Sequence, residues 1–304
     1  MKTAVVVGPK GQDGRLATEY LEKSNYRVIG IGRGGPVNIL SKSSVSSFLA
    51  STKPDEIYYL AAYHHASDEK LPDPEVLWKN SVDVQVTGLH NFLSSIDEQK
   101  LNCRLFYASS VLAFSDSSPS VITEETPPES DSVYGKSKIM GMELIRQFRE
   151  KNGLFCCSGI LGSHESPYRP DNFVSQKIVM AAVRAQKNPS ERLILGDLNK
   201  ENDWGAARDY VIAMHKMLQA KKPDDYLITG QLHKVKEFVR IAFAHLGLDW
   251  EKYTQEDSSL LTRKTASKIF SSQKIKKNLD WQPQTSFENM IREMVAAKGG
   301  DLVH

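Results

Sequence analysis

Thr3-Ala-Val-Val-Val-Gly8-Pro-Lys-Gly11-Gln-Asp-Gly14 is a short apolar run that breaks into three glycines, each three residues from the next. The run reads as a buried strand. The glycines read as its turn into a helix, expected from about Arg15 to Ser24. Glycine there permits a tight turn and lets backbone N–H groups approach a pyrophosphate at the helix N-terminus. A glycine-rich turn without a ligand is the plainer alternative, and the strand-to-helix context favours dinucleotide binding. Gly8, Gly11 and Gly14 are therefore candidate cofactor residues.

Outward from this turn the pattern repeats. Arg27-Val-Ile-Gly-Ile31 reads as a second strand, and the serine-rich stretch 41–52 leads through a short helix to a strand over 56–62. Residues 75–98 carry a long helical pattern, 103–109 return to strand, the helix with Tyr134 runs to about Asn152, and 154–160 is again strand. Strands alternating with helices of ten or more residues predict an α/β fold, a Rossmann-type doubly wound parallel sheet covered on both faces. After Leu161 the alternation weakens: 166–170 looks like a loop, 173–186 a helix, 193–195 a strand, 209–220 a helix, 226–228 a strand, with helices at 235–246 and 287–297. The expected division is a dinucleotide-binding domain of 1–162 and 202–230, with a small C-terminal α/β substrate lobe of 163–201 and 231–304.

Composition narrows the class. The 304 residues suffice for a substantial core, and 40% hydrophobic with 25% charged residues is ordinary for a soluble globular protein. A net charge of +2 leaves no footprint for nucleic acid or a membrane surface. Lys274-Ile-Lys276-Lys277 reads as a solvated helix face. Cys103, Cys156 and Cys157 match no disulfide framework or zinc pattern, and no metal site is expected. With no leader-like flank and no apolar run of membrane-spanning length, a cytoplasmic protein is expected.

Tyr134-Gly-Lys-Ser-Lys138 carries the chemistry. Residues four apart share a helix face, so the ammonium is expected to lower the phenol pKa and prepare Tyr134 to exchange a proton. Ser110 ends the preceding apolar run, where its hydroxyl can hold a substrate oxygen. Lys138 is also expected on the nicotinamide ribose. Each residue alone reads as helix surface or strand cap; together, behind a dinucleotide turn, they describe a hydride-transfer site. At the end of the second strand an NAD enzyme usually offers a carboxylate to the ribose. Here Gly30-Ile-Gly-Arg33-Gly-Gly35 offers Arg33, which favours NADP, with NAD the alternative. His64 and His65 follow the third strand at the ligand-binding edge; simple loop solvation competes with an accessory acid/base role.

The chain resembles the extended short-chain dehydrogenases/reductases acting on nucleotide sugars, and within them the GDP-mannose 4,6-dehydratases. The residues carrying the likeness are Gly8 to Gly14, His164-Glu-Ser-Pro167, Asn172-Phe-Val174, Asp203-Trp-Gly205, Arg208-Asp-Tyr-Val211 and Leu279-Asp-Trp-Gln-Pro283, spread over nearly the whole chain. The resemblance implies an NADP-type cofactor, a nucleotide-diphosphate sugar (a GDP-sugar favoured) and Ser110, Tyr134 and Lys138 as the catalytic set. It adds Gln12, Asp13, Ala61 and His164 as cofactor contacts, and His65, Asn172, Lys177, Arg208 and Arg263 as substrate contacts. It also implies a homodimer paired through helices 75–98 and 134–152.

Departures from the pattern redirect the expected activity. The dehydratases carry a catalytic Glu two positions after the serine or threonine, and that position is Leu112, preceded by Val111. Leucine cannot take the C5 proton or help water leave C6. An expected arginine is Asn202, an expected adenine-contacting Asp is Leu40, and the segment between Arg33 and Pro54 is short. The favoured expectation is reduction of a 4-keto nucleotide sugar, with 4-epimerisation, 4,6-dehydration or a non-catalytic cofactor sensor as alternatives.

Overall fold

The computed structural model describes residues 1–64, 72–260 and 268–299. Six strands form the central sheet: β1 (Thr3–Val7), β2 (Arg27–Ile31), β3 (Glu56–Tyr59), β4 (Arg104–Ser110), β5 (Cys156–Leu161) and β6 (Tyr226–Ile228). They lie in the order β6-β5-β4-β3-β1-β2, with every neighbouring pair parallel. After β2 the chain returns across β1 to place β3 on its other side. The order therefore reverses beside β1, where a doubly wound sheet opens a ligand crevice at its carboxyl edge.

Successive residues point to opposite faces. Val5, Val7, Ile57, Tyr59, Leu105 and Tyr107 pack against helices Lys42–Thr52, Gly88–Glu98 and Val133–Asn152. Ala4, Val6, Tyr58, Phe106 and Ala108 pack against Gln12–Lys23 and Ala207–Gln219. Full burial of one large apolar side chain contributes about 1.5–3 kcal/mol, so the two layers fix the sheet that carries the site. A further core gathers Trp204, Phe238 and Phe287 with helices Val174–Ala185, Val235–Ala244 and Phe287–Ala297.

Three features depart from the sequence expectation. The first helix begins at Gln12 rather than Arg15, with Gly11 as its cap. The pattern over 75–98 contains a π turn at Asp83–Thr87, where the Tyr59 hydroxyl donates to the Val84 carbonyl at 2.5 Å and competes with the helical ladder. Glu201–Ala206 forms a strand between His164–Glu165 and Gln231–Lys234, all too short or too polar to show an alternating pattern. The lysine cluster lies on helix Gln273–Leu279 with Ile275 turned inward. Cys103, Cys156 and Cys157 are buried free thiols. No helix among the described residues is long and apolar enough to cross a membrane.

Candidate functional site

A cleft of about 870 Å³ opens where the strand order reverses. One wall is the glycine turn. Gly8 takes φ +96°, a conformation that disfavours side chains, and a Cβ on Gly14 would stand 2.1 Å from the Gly8 carbonyl oxygen. Gly11 begins the following helix without a side-chain cap, so its first N–H groups suit an anionic ligand. Arg33, just past β2, is exposed on the same wall, as is Leu40. Ala61, after β3, backs the turn: its backbone N would be 3.0 Å from a Cβ on Gly8. This donor set fits a dinucleotide diphosphate.

Tyr134, Lys138 and Ser110 meet on the facing wall. Ser132 caps the helix of Tyr134 and Lys138 by accepting the Gly135 N–H at 3.0 Å, which sets Tyr134 in its first turn. Lys138 is 1% exposed; its Nζ donates to the Ala108 carbonyl at 2.6 Å and lies 5.4 Å from the centre of the Tyr134 ring. Burial pulls the Lys138 pKa down to about 7, opposed by Asp13. Tyr134 is half-buried yet densely surrounded by protein, and that desolvation raises its phenol pKa, with Arg169 opposing. This reverses the sequence expectation of a phenol lowered by its lysine: burial penalises both charged forms, and a lysine near neutrality carries only part of its charge. Ser110 ends β4, and its Oγ accepts the Leu112 N–H at 3.2 Å.

Gln12, Asp13 and His164 contact one another across the chain. Gln12 Nε2 donates to the His164 carbonyl at 2.9 Å, and Gln12 Oε1 accepts from the Ser166 hydroxyl at 2.9 Å. Both Asp13 carboxylate oxygens lie 3.0 Å from His164 Nε2. Burial disfavours each charge, but the pairing prevails: the Asp13 pKa is lowered and the His164 pKa raised. These contacts fasten the glycine turn to the His164-Glu-Ser-Pro167 segment.

Behind His164, Asp203 accepts the Gly230 N–H at 2.8 Å. Burial lifts its carboxyl to about 7, against the lowering effects of that bond and of His164. The folded chain thus holds a proton there that the unfolded chain releases near pH ~4, so stability falls as pH rises from about 4 to about 7. Asp203→Asn is expected to flatten this dependence and raise the thermal midpoint at pH 8 by at least about 2 °C, measured by calorimetry across pH.

The family model described as GDP-mannose 4,6 dehydratase matches residues 35–294. The chain belongs to the GDP-mannose 4,6-dehydratase family. GDP-mannose 4,6 dehydratase 2 of Arabidopsis thaliana is 34% identical over 97% of this chain and 86% of its own. The Homo sapiens GDP-mannose 4,6 dehydratase is 30% identical over 97% and 90%. UDP-glucose 4-epimerase of Thermus thermophilus, solved with NAD, has a TM-score of 0.80 at 19% identity over 98% of this chain and 100% of its own. RMD from Pseudomonas aeruginosa, solved with NADPH, has a TM-score of 0.82 at 18% identity over 98% and 99%. These structural likenesses show a shared Rossmann-type fold. Membership makes this an enzyme family of the extended short-chain dehydrogenase/reductase type.

Within this GDP-mannose 4,6-dehydratase family framework, the remaining candidates separate. Asn172 lines the cleft, whereas Lys177 lies one turn beyond Phe173 and off the cleft wall. Arg208 is not at the site: its guanidinium donates to Glu293 at 2.8 Å and to Thr285 at 3.0 Å. The two motifs expected around it serve the scaffold, since Asp209 accepts the N–H groups of Gln284 and Thr285 and its carbonyl takes the Trp281 indole N–H. His65 and Arg263 fall outside the described residues. Leu112 is 49% exposed on the cleft wall beside Val111. Sequence reading missed Arg169, placed in a loop: a turn closed by its N–H to the Ser166 carbonyl sets its guanidinium 3.7 Å over the Phe173 ring, within the cleft. The flanking Pro167 and Pro170, which restrict that turn, were the available signal.

Proposed function

We propose that this protein is an NADP-dependent nucleotide-sugar oxidoreductase that delivers hydride to C4 of a 4-keto sugar. The reading rests on one observation: Ser110, Tyr134 and Lys138 converge on the cleft while the position beside Ser110 presents Leu112, and the one carboxylate among the described residues lining the cleft, Asp13, is paired with His164. NADPH, when bound, supplies the hydride. Tyr134 protonates the nascent alkoxide, which its raised pKa does not prevent because the alkoxide is the stronger base. Ser110 holds the same oxygen, and Lys138 holds the nicotinamide ribose and the β4 backbone. Arg169 and Asn172 are the groups assigned to the diphosphate.

The favoured substrate is a GDP-linked sugar, with residues 1–162 and 202–230 serving the cofactor and 163–201 and 231–304 the sugar nucleotide. Val76, Trp78 and Met140, exposed on the helices assigned to subunit pairing, support a homodimer. A second reading, 4,6-dehydration, is favoured by the 34% identity to the Arabidopsis dehydratase.

Arg33 supports NADP because a guanidinium at the end of β2 suits a 2′-phosphate. NADPH is expected to bind more tightly than NADH, and Arg33→Ala to narrow the difference by about tenfold, the value of one lost charged hydrogen bond. Calorimetric titration of both variants checks this, and tighter NADH binding to the native protein contradicts it.

A further inference from the structure

Glu165 is a carboxylate that the fold buries behind the cleft wall. It is 4% exposed and ends the short strand His164–Glu165, where it pairs with Ala206 of the neighbouring strand. One of its oxygens, Oε2, accepts the Ser175 hydroxyl at 2.5 Å and stands 3.4 Å from Arg169 Nε. Ser175 is fully buried in the first turn of helix Val174–Ala185, so the carboxylate also meets the positive end of that helix. A buried carboxylate is costly unless charge and hydrogen bonds compensate it. The oxygen that the scaffold fixes therefore draws the Arg169 guanidinium to it.

Arg169 is held from several directions. Its backbone N–H closes a turn onto the Ser166 carbonyl at 3.0 Å, the Phe173 ring lies 3.7 Å from the guanidinium, and Glu165 stands at Nε. Arg169 and Phe173 line the cleft, whereas Glu165 and Ser175 do not. Pairing at Nε does not use the donors on the terminal nitrogens, which suit a phosphate. A long side chain gives up rotamer freedom when it grips a ligand. One already held between a carboxylate and a ring has given up much of it beforehand.

We propose that Glu165 is a positioning residue of this site, setting the Arg169 guanidinium for the diphosphate of a nucleotide sugar without touching the substrate. The proposal rests on the reading of Arg169 as a diphosphate contact. Loss of the Glu165 charge weakens nucleotide binding by releasing Arg169, and has no such effect once the guanidinium is gone.

The probe is GDP, titrated calorimetrically into protein saturated with NADPH, which keeps the cofactor's own phosphate subsite filled. Glu165→Gln keeps the shape and an oxygen for Ser175 but lacks the charge. Its GDP affinity is expected to fall about tenfold with NADPH affinity unchanged. Arg169→Gln is expected to lose at least as much. The double variant Glu165→Gln/Arg169→Gln, which leaves neither charge unpaired, is expected to match Arg169→Gln within about twofold. That comparison separates positioning from a purely structural role, in which Glu165 would affect nucleotide binding with or without Arg169. Native-like GDP affinity in Glu165→Gln, or a further tenfold loss in the double variant beyond Arg169→Gln, overturns the positioning role alone. Native-like affinity in Arg169→Gln, or no GDP binding by the native protein, overturns the diphosphate reading and the positioning role with it.

Discussion

Tyr134→Phe is expected to reduce turnover by about 100- to 10,000-fold, or about 3–5 kcal/mol of transition-state stabilisation, with cofactor affinity nearly unchanged. Phenylalanine keeps the ring that packs against His64 but has no exchangeable proton, so the nascent alkoxide must take one from water. Lys138 donates to the Ala108 carbonyl rather than to the phenol, so the cofactor-side wall does not depend on the Tyr134 hydroxyl. Stopped-flow reduction combined with calorimetric NADPH binding separates the two effects. Near-native turnover in Tyr134→Phe contradicts the assigned proton path.

The second large effect concerns Leu112. Dehydration across C5 and C6 requires a base beside the transient C4 ketone, and general acid–base catalysis typically contributes about 100- to 10,000-fold. Neither Leu112 nor Val111 has an ionisable atom, although both lie on the cleft wall. The native protein incubated with GDP-mannose and NADP+ is therefore expected to form no 4-keto-6-deoxy product above background by mass spectrometry. Water loss at a rate typical of an enzyme establishes the second reading and requires a base elsewhere in the cleft.

The central sheet was legible because its strands are runs of three to seven residues with few polar interruptions, separated by helices with clear periodicity. The Glu201–Ala206 strand was not, since its sequence, Glu-Asn-Asp-Trp-Gly-Ala, has no alternation and its pairing comes from distant segments. The glycine turn, Arg33, Ser110, Tyr134 and Lys138 line one cleft, because each follows or ends a strand on the carboxyl edge or faces that edge from a helix. Arg208 lies off the cleft, because a motif shows that residues belong together without showing whether they face a ligand or, like Asp209 and Trp281, each other. The direction of the Tyr134 pKa was also misread. Helical spacing shows that a lysine is near, whereas the effect on the phenol depends on how much water both have lost.

The most direct test of hydride delivery to C4 uses NADPH deuterated at the transferable position and a GDP-linked 4-keto-6-deoxyhexose, with the product analysed by NMR and mass spectrometry. The account predicts one deuterium on C4 of the reduced sugar, formed by the native protein and suppressed in Tyr134→Phe. Deuterium remaining on the nicotinamide with the keto sugar unreduced, under conditions where both ligands bind, would contradict it.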